Sequence, residues 1–310
     1  LLRCTKILDL FISCDYFTTL NSMNKIQVGF LVSYDYELLK NAIPPIYEDS
    51  DTIFLAIDQR RKTWKGSDIA IDASFFEWIK NFDTANKIEI FEDDFYVEGL
   101  STMECEVRER KMLAEKMGIG NWLIQLDSDE YFLDFKKFVK FLKRNNHYLQ
   151  NPEEHIVQIC PFKINLYKNS EEGVFYVDQL DKFMAATNYP NYKIGRHGKC
   201  RSIYTDSVAL HECLSRTRED LIVKLENWGH NTDIDQEAFM AKWDSVNTGN
   251  YKSLQGFFYL NPMEWKDLEY MPGKNIAELL QNFKKSSKIK VSSFFLWKKN
   301  LGQRLKFLFK

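Results

Sequence analysis

Three carboxylates follow a short apolar run in Trp122-Leu123-Ile124-Gln125-Leu126-Asp127-Ser128-Asp129-Glu130. The five residues before them read as a buried strand, so Asp127 and Asp129 leave its end toward one point in space. Hard carboxylate oxygens held this way suit Mg²⁺ or Mn²⁺, which typically shares one or two carboxylates with the phosphates of a substrate. Helix capping is the competing use, because acids commonly precede a helix and Asp134 opens one shortly afterwards. A bare Asp-x-Asp is common by chance, and its surroundings must decide between the two.

Those surroundings alternate strand and helix patterns. Residues 26–32, 52–57, 87–91 and 122–126 read as strands. Residues 36–43, a short segment from Ser74, and 101–117 read as helices, the last with Ser101 and Glu104 at capping-box spacing. The series predicts an α/β fold with a mostly parallel central sheet flanked by helices, with ligands at the carboxyl ends of the strands. Three of those ends carry acids: Asp58, the Glu92-Asp93-Asp94 cluster, and Asp127 with Asp129 and Glu130. One polar crevice is the expected site. The second half reads as a helix from Asp134, a hairpin of strands 155–164 and 174–177, and a mobile loop over 189–201. A strand over 202–210 delivers His211-Glu212, and helices 220–228 and 235–246 bracket His230.

The run from Arg108-Glu109-Arg110-Lys111 through Gly118-Ile119-Gly120 to Asp127-Ser128-Asp129-Glu130 resembles the donor-site signature of family 2 glycosyltransferases with the GT-A fold. Bacterial lipopolysaccharide and capsule sugar transferases belong to that group. The resemblance covers residues 24–135 in order of elements and, more weakly, 211–247. It departs after the second strand, where Asp58-Gln59-Arg60-Arg61 stands in place of the family's Asp-Asp-Gly-Ser. The resemblance implies transfer of a sugar from a nucleotide-diphosphate sugar to a glycan or lipid-linked acceptor in cell-surface polysaccharide biosynthesis. Mn²⁺ or Mg²⁺ would neutralise the departing diphosphate. Asp129 becomes the main metal ligand, and Asp127 contacts the ribose or the metal. His230, in Trp228-Gly229-His230-Asn231, becomes a third ligand, with a structural histidine as the alternative. An inverting transfer needs a base, and Glu212 is the candidate, with Asp206, Asp178 and Asp181 as competitors and His211 as an acceptor contact. A retaining enzyme needs none. Tyr34 and Asp58 are candidates to hold the nucleoside. Arg108, Arg110, Lys199 and Arg201 are candidates for the phosphates, the last two from a loop able to close over the donor. For Arg108 and Arg110 a solvated helix face is the alternative.

Two other readings compete. A phosphotransferase usually carries its nucleophilic Asp after the first strand, where Ser33-Tyr34-Asp35 lacks an Asp-x-Asp, and a nucleotidyltransferase usually has a Gly-rich basic loop there. A non-catalytic nucleotide- or carbohydrate-binding protein of the same fold stays open.

Composition sets the outer bounds. The 310 residues are 45% hydrophobic and 15% aromatic, enough for one large α/β domain or two small ones. The expected division is an N-terminal extension over 1–22, a GT-A domain over 23–250 and a helical basic extension over 251–310. Within the domain, a nucleotide-sugar half covers about 23–135 and an acceptor half about 136–250. Met23 is the expected natural start. A net charge of −2 lacks the basic surface of a nucleic-acid binder. Six cysteines without a Cys-x-x-Cys pair read as reduced core thiols. No apolar run approaches the roughly 20 residues of a membrane span. No acid follows Glu278, while lysines accumulate over 284–310. Phe294, Trp297, Leu301, Leu305 and Leu308 share a helical stripe with Lys299, Lys306 and Lys310 opposite. That pattern suits a helix lying on an anionic membrane, or one packed on the domain with a solvated basic face. A cytoplasmic protein, peripheral at the inner face of the plasma membrane, is the expectation.

Overall fold

The computed structural model describes residues 24–227, 235–258, 260–261 and 263–308. Strands β1 (Ile26–Val32), β2 (Thr52–Asp58), β3 (Ile88–Asp93) and β4 (Trp122–Leu126) pair in parallel in the spatial order β3-β2-β1-β4. β1 and β4 are buried at every residue, which explains why they read as nearly unbroken apolar runs: both faces of this part of the sheet are covered. On one face, the Thr102–Met117 helix packs Leu113, Ala114 and Met117 against Leu31, Phe54 and Leu123. Gly29 permits that approach, since a Cβ there would meet Leu113 Cδ2 at 2.8 Å. The other face carries the Ala73–Phe82 and Phe135–Arg144 helices. The Thr102–Met117 helix opens on a complete capping box, Ser101 and Glu104 each bonding the other's backbone N–H.

The second half continues the same sheet. Beyond β4, strands β5 (Glu130–Phe132), β6 (Val157–Ser170), β7 (Gly173–Lys182) and β8 (Ala186–Thr187) extend it. β8 is antiparallel to both β4 and β6, and β6 and β7 form the expected hairpin. The segment expected as a mobile loop folds instead as a small hairpin of β9 (Tyr192–Ile194) and β10 (His197–Gly198). β11 (Arg201–His211) runs parallel to β6 and takes β5 antiparallel on its other side, with Glu130 opposite His211. The sheet is thus parallel through its first four strands and mixed beyond them. The segment expected as a purely helical extension also contributes a strand, β12 (Leu268–Pro272), paired with β7.

The last helix, Ser293–Leu308, covers the free edge of β11. Asn300 accepts from Tyr204 N at 2.8 Å and donates to Tyr204 O at 2.9 Å, and Gln303 accepts from Ser202 N at 3.2 Å. These side-chain amides satisfy edge backbone groups that otherwise invite another strand. Among the described residues no helix is long and apolar enough to cross a membrane.

Candidate functional site

The carboxyl ends of β1, β2 and β4 open on a cavity of about 410 Å³. Tyr34, Trp64, Glu109, Asp127, Asp129 and His211 are among the residues that line it. Asp127 Oδ1 accepts from Arg110 Nη2 at 2.9 Å and its Oδ2 from Arg196 Nη2 at 3.1 Å. Asp129 Oδ2 accepts from Arg216 Nη2 and from Lys224 Nζ, both at 2.7 Å, while its Oδ1 lies 3.6 Å from His211 Nε2. Glu130, fully buried, grips the Arg196 guanidinium with both oxygens. Burial alone would raise the carboxyl pKa of Asp127, yet Arg196 and Arg110 hold it far below the usual range. Burial likewise opposes ionisation of Asp129, and the charges of Lys224 and Arg216 outweigh it.

The ion pairs form two balanced networks: Glu106, Asp127 and Glu130 with Arg110, Lys163 and Arg196, and Asp35 and Asp129 with Arg216 and Lys224. Balance of this kind is what lets charges persist with so little water around them. Capping is therefore not the role of Asp127 or Asp129; Asp134 caps the following helix by accepting from Lys137 N.

Several expected site residues stand elsewhere. Glu212 does not line the cavity; its Oε2 accepts from the Tyr131 hydroxyl. His211, the last residue of β11, and Cys213 line the cavity, and Glu212 between them does not. Asp58 lines the cavity, but backbone N–H groups of Arg60, Lys62, Phe95 and Tyr96 occupy its carboxylate at 2.9–3.1 Å. Those four bonds fill its acceptor positions, so it fixes the loops after β2 and β3 and is not free to hold a nucleoside. Lys199 is exposed outside the cavity, and Arg201 donates to the Tyr148 hydroxyl at 3.1 Å. The β9–β10 hairpin sends Arg196 to the acids in their place, because its turn, not its arms, points at β4. Arg108 donates to Asp94 O at 2.6 Å, away from the cavity. Tyr34 and Arg110 do line it. His230 lies outside the described residues.

His211 is held by a short relay. Asn165 Nδ2 donates to Asp181 Oδ2 at 2.6 Å, which turns Asn165 Oδ1 toward His211 Nδ1 at 2.7 Å. The imidazole therefore carries its proton on Nδ1 and presents the Nε2 lone pair beside Asp129. Burial and then the Lys163 ammonium drive its pKa well below the ordinary histidine value, so the ring is neutral. Glu109 shows the opposite displacement: burial raises its carboxyl to about 8, although Trp64 Nε1 donates to it at 2.6 Å.

No group of three potential metal ligands occurs among the described residues. Asp127 and Asp129 both line the cavity, and their hard oxygens are of the type that Mg²⁺ or Mn²⁺ takes, one or two carboxylates at a time, with water and substrate phosphates completing the shell. The charge balance of the two networks fits the same ion, because a divalent cation entering with a diphosphate adds little net charge to them.

No protein-family model matches the chain, and no curated protein matches it. Among solved structures the chain is similar to mannose-6-phosphate isomerase from Helicobacter pylori, at 12% identity over 86% of this chain and 96% of that one. The TM-score is 0.30, too low to carry an argument about fold or activity.

Proposed function

We propose that this protein is a glycosyltransferase that moves a sugar from a nucleotide-diphosphate sugar to a hydroxyl of a glycan or lipid-linked acceptor. The observation that carries the proposal is the position of Asp127 and Asp129: they end a buried parallel strand inside the cavity, among cations able to meet phosphate oxygens. On the same residues we read the α/β fold as GT-A type and the pathway as bacterial cell-surface polysaccharide biosynthesis.

In this proposal Asp127 and Asp129 hold Mn²⁺ or Mg²⁺, and the bound ion supplies charge neutralisation for the departing diphosphate. Arg216 and Lys224, now on Asp129, supply further positive charge to the same oxygens. Tyr34 and Trp64 offer rings to the nucleobase, and the bond from Trp64 to Glu109 fixes the indole. His211 acts as the base. As the acceptor oxygen bonds to the anomeric carbon and the carbon–phosphate-oxygen bond breaks, the hydroxyl proton passes to His211 Nε2. Asp129 beside the ring stabilises the resulting imidazolium. This single displacement inverts the anomeric carbon.

Calorimetry with a nucleoside diphosphate, with and without Mn²⁺, tests the reading. Wild-type protein should gain at least about tenfold in affinity from the metal, roughly 1.4 kcal/mol. Asp129→Asn should lose that gain. A wild-type affinity indifferent to Mn²⁺ would remove the metal role. Binding without any transfer or donor hydrolysis would favour the non-catalytic reading.

A further inference from the structure

We propose that the Ser293–Leu308 helix is a docking surface for an anionic lipid bilayer, independently of the reaction assigned to the cavity. One side of this helix is fixed to the protein: Asn300 and Gln303 bond the β11 backbone, and the Phe295 ring lies 6.0 Å from that of Phe162. Another side is open. At 3.6 residues per turn, Phe294, Trp297, Leu301, Leu305 and Leu308 fall within a stripe about 80° wide. They are 71%, 61%, 40%, 51% and 65% exposed. A contiguous apolar row of this kind marks an interaction site, whereas scattered single residues would not.

Charge selects the partner. The exposed Lys298 and Arg304 flank the stripe, one on each side of it, by the same helical spacing. No acid follows Glu278, and nine Lys and Arg residues do. Lys284 and Lys288 are engaged by Asp134 and Glu269, which leaves the cations nearer the stripe as its border. A second copy of this chain docked on the stripe would bring like charges together, a costly arrangement. Anionic headgroups meet the same cations with opposite charge, while long basic stems extend upward from a buried apolar face. Sixteen residues give about 24 Å of helix, too short to span the bilayer and suited to lying in its surface. Trp297 is the type of residue that favours that interface.

Flotation of the full chain on vesicles of phosphatidylcholine, with and without one third phosphatidylglycerol, tests this surface. Wild-type protein should float with the anionic vesicles and stay behind with the neutral ones or in high salt. The double variant Trp297→Ser with Leu305→Ser should stay behind in both cases. Lys298→Glu with Arg304→Glu should weaken partition by about thirtyfold or more, since each basic side chain contributes a factor of about five. Circular dichroism matching the wild type establishes that these surface variants fold. Wild-type protein that fails to float on anionic vesicles overturns the proposal, as do variants that float equally well. A wild-type dimer that the Trp297→Ser, Leu305→Ser change splits, with no flotation, assigns the stripe to a second copy and overturns it too.

Discussion

His211 and Glu212 stand next to each other with different duties. The first presents a neutral imidazole to the cavity through Asn165 and Asp181; the second satisfies the buried Tyr131 hydroxyl. His211→Gln should lower kcat by about 10²–10⁴, the usual worth of a general base, with little change in donor KM. Glu212→Gln should keep most of the transfer rate, because an amide oxygen still accepts from Tyr131. Steady-state kinetics of the two variants separate these roles. Because the folded-state pKa of His211 is depressed, the acidic limb of kcat/KM should lie below about pH 6.5, where an ordinary histidine would already be protonated. Glu109 bears on stability. Its carboxyl is protonated in the folded protein up to about pH 8 and ionised in the unfolded chain above its ordinary value. The folded state therefore binds the extra proton, and stability falls as pH rises between these limits. Glu109→Gln keeps an acceptor for Trp64 and should flatten that decline, as thermal unfolding across the range would reveal. The His-Glu pair was legible as a site, but its facing member was not. That choice depends on the register between β11 and β5, which are distant in sequence. Arg196, Arg216 and Lys224 were not legible either, because each acquires its meaning only from acids 66 to 181 positions away.

At the scale of elements, the last helix closes the edge of β11 with two amide side chains. Asn300→Leu removes both bonds to Tyr204 and should cost about 1–3 kcal/mol in urea unfolding, since it leaves backbone groups without partners under the helix. A variant as stable as wild type would show that the edge needs no such cover. The first half was readable because its signals are local: apolar runs of strand length, the Ser101–Glu104 box, and Gly118 after Met117. The β9–β10 hairpin escaped because strands of two and three residues carry no periodicity. β12 escaped because Leu268-Glu269-Tyr270-Met271-Pro272 lacks a clean alternation and ends in proline.

The whole molecule is knitted by one sheet that runs from β3 to β12. β4, which carries the aspartates, is bonded to β1 on one side and to β8 on the other, and Gln125 N donates to Ala185 O at 2.9 Å. The halves read from the sequence, about 23–135 and 136–250, therefore share a backbone seam. A fragment comprising residues 24–135 would expose the β4 edge and lose Arg196, Arg216 and Lys224 from its acids. Expressed alone it should aggregate, and a soluble, cooperatively unfolding fragment would show the halves to be separate folding units. The alternating strand–helix series made the parallel half legible; the seam was not, because β8 has only two residues.

Glu212 N donates to Asp129 O at 2.8 Å, next to the antiparallel β5–β11 pairing in which Glu130 faces His211. Side chains along a strand switch sides at every step, so lengthening either segment by one position would exchange imidazole for carboxylate at the cavity wall. Residue identities here have some freedom to drift, whereas the number of positions between Asp127 and Phe132, and between Val208 and Glu212, does not. This stretch sets the gauge of the molecule.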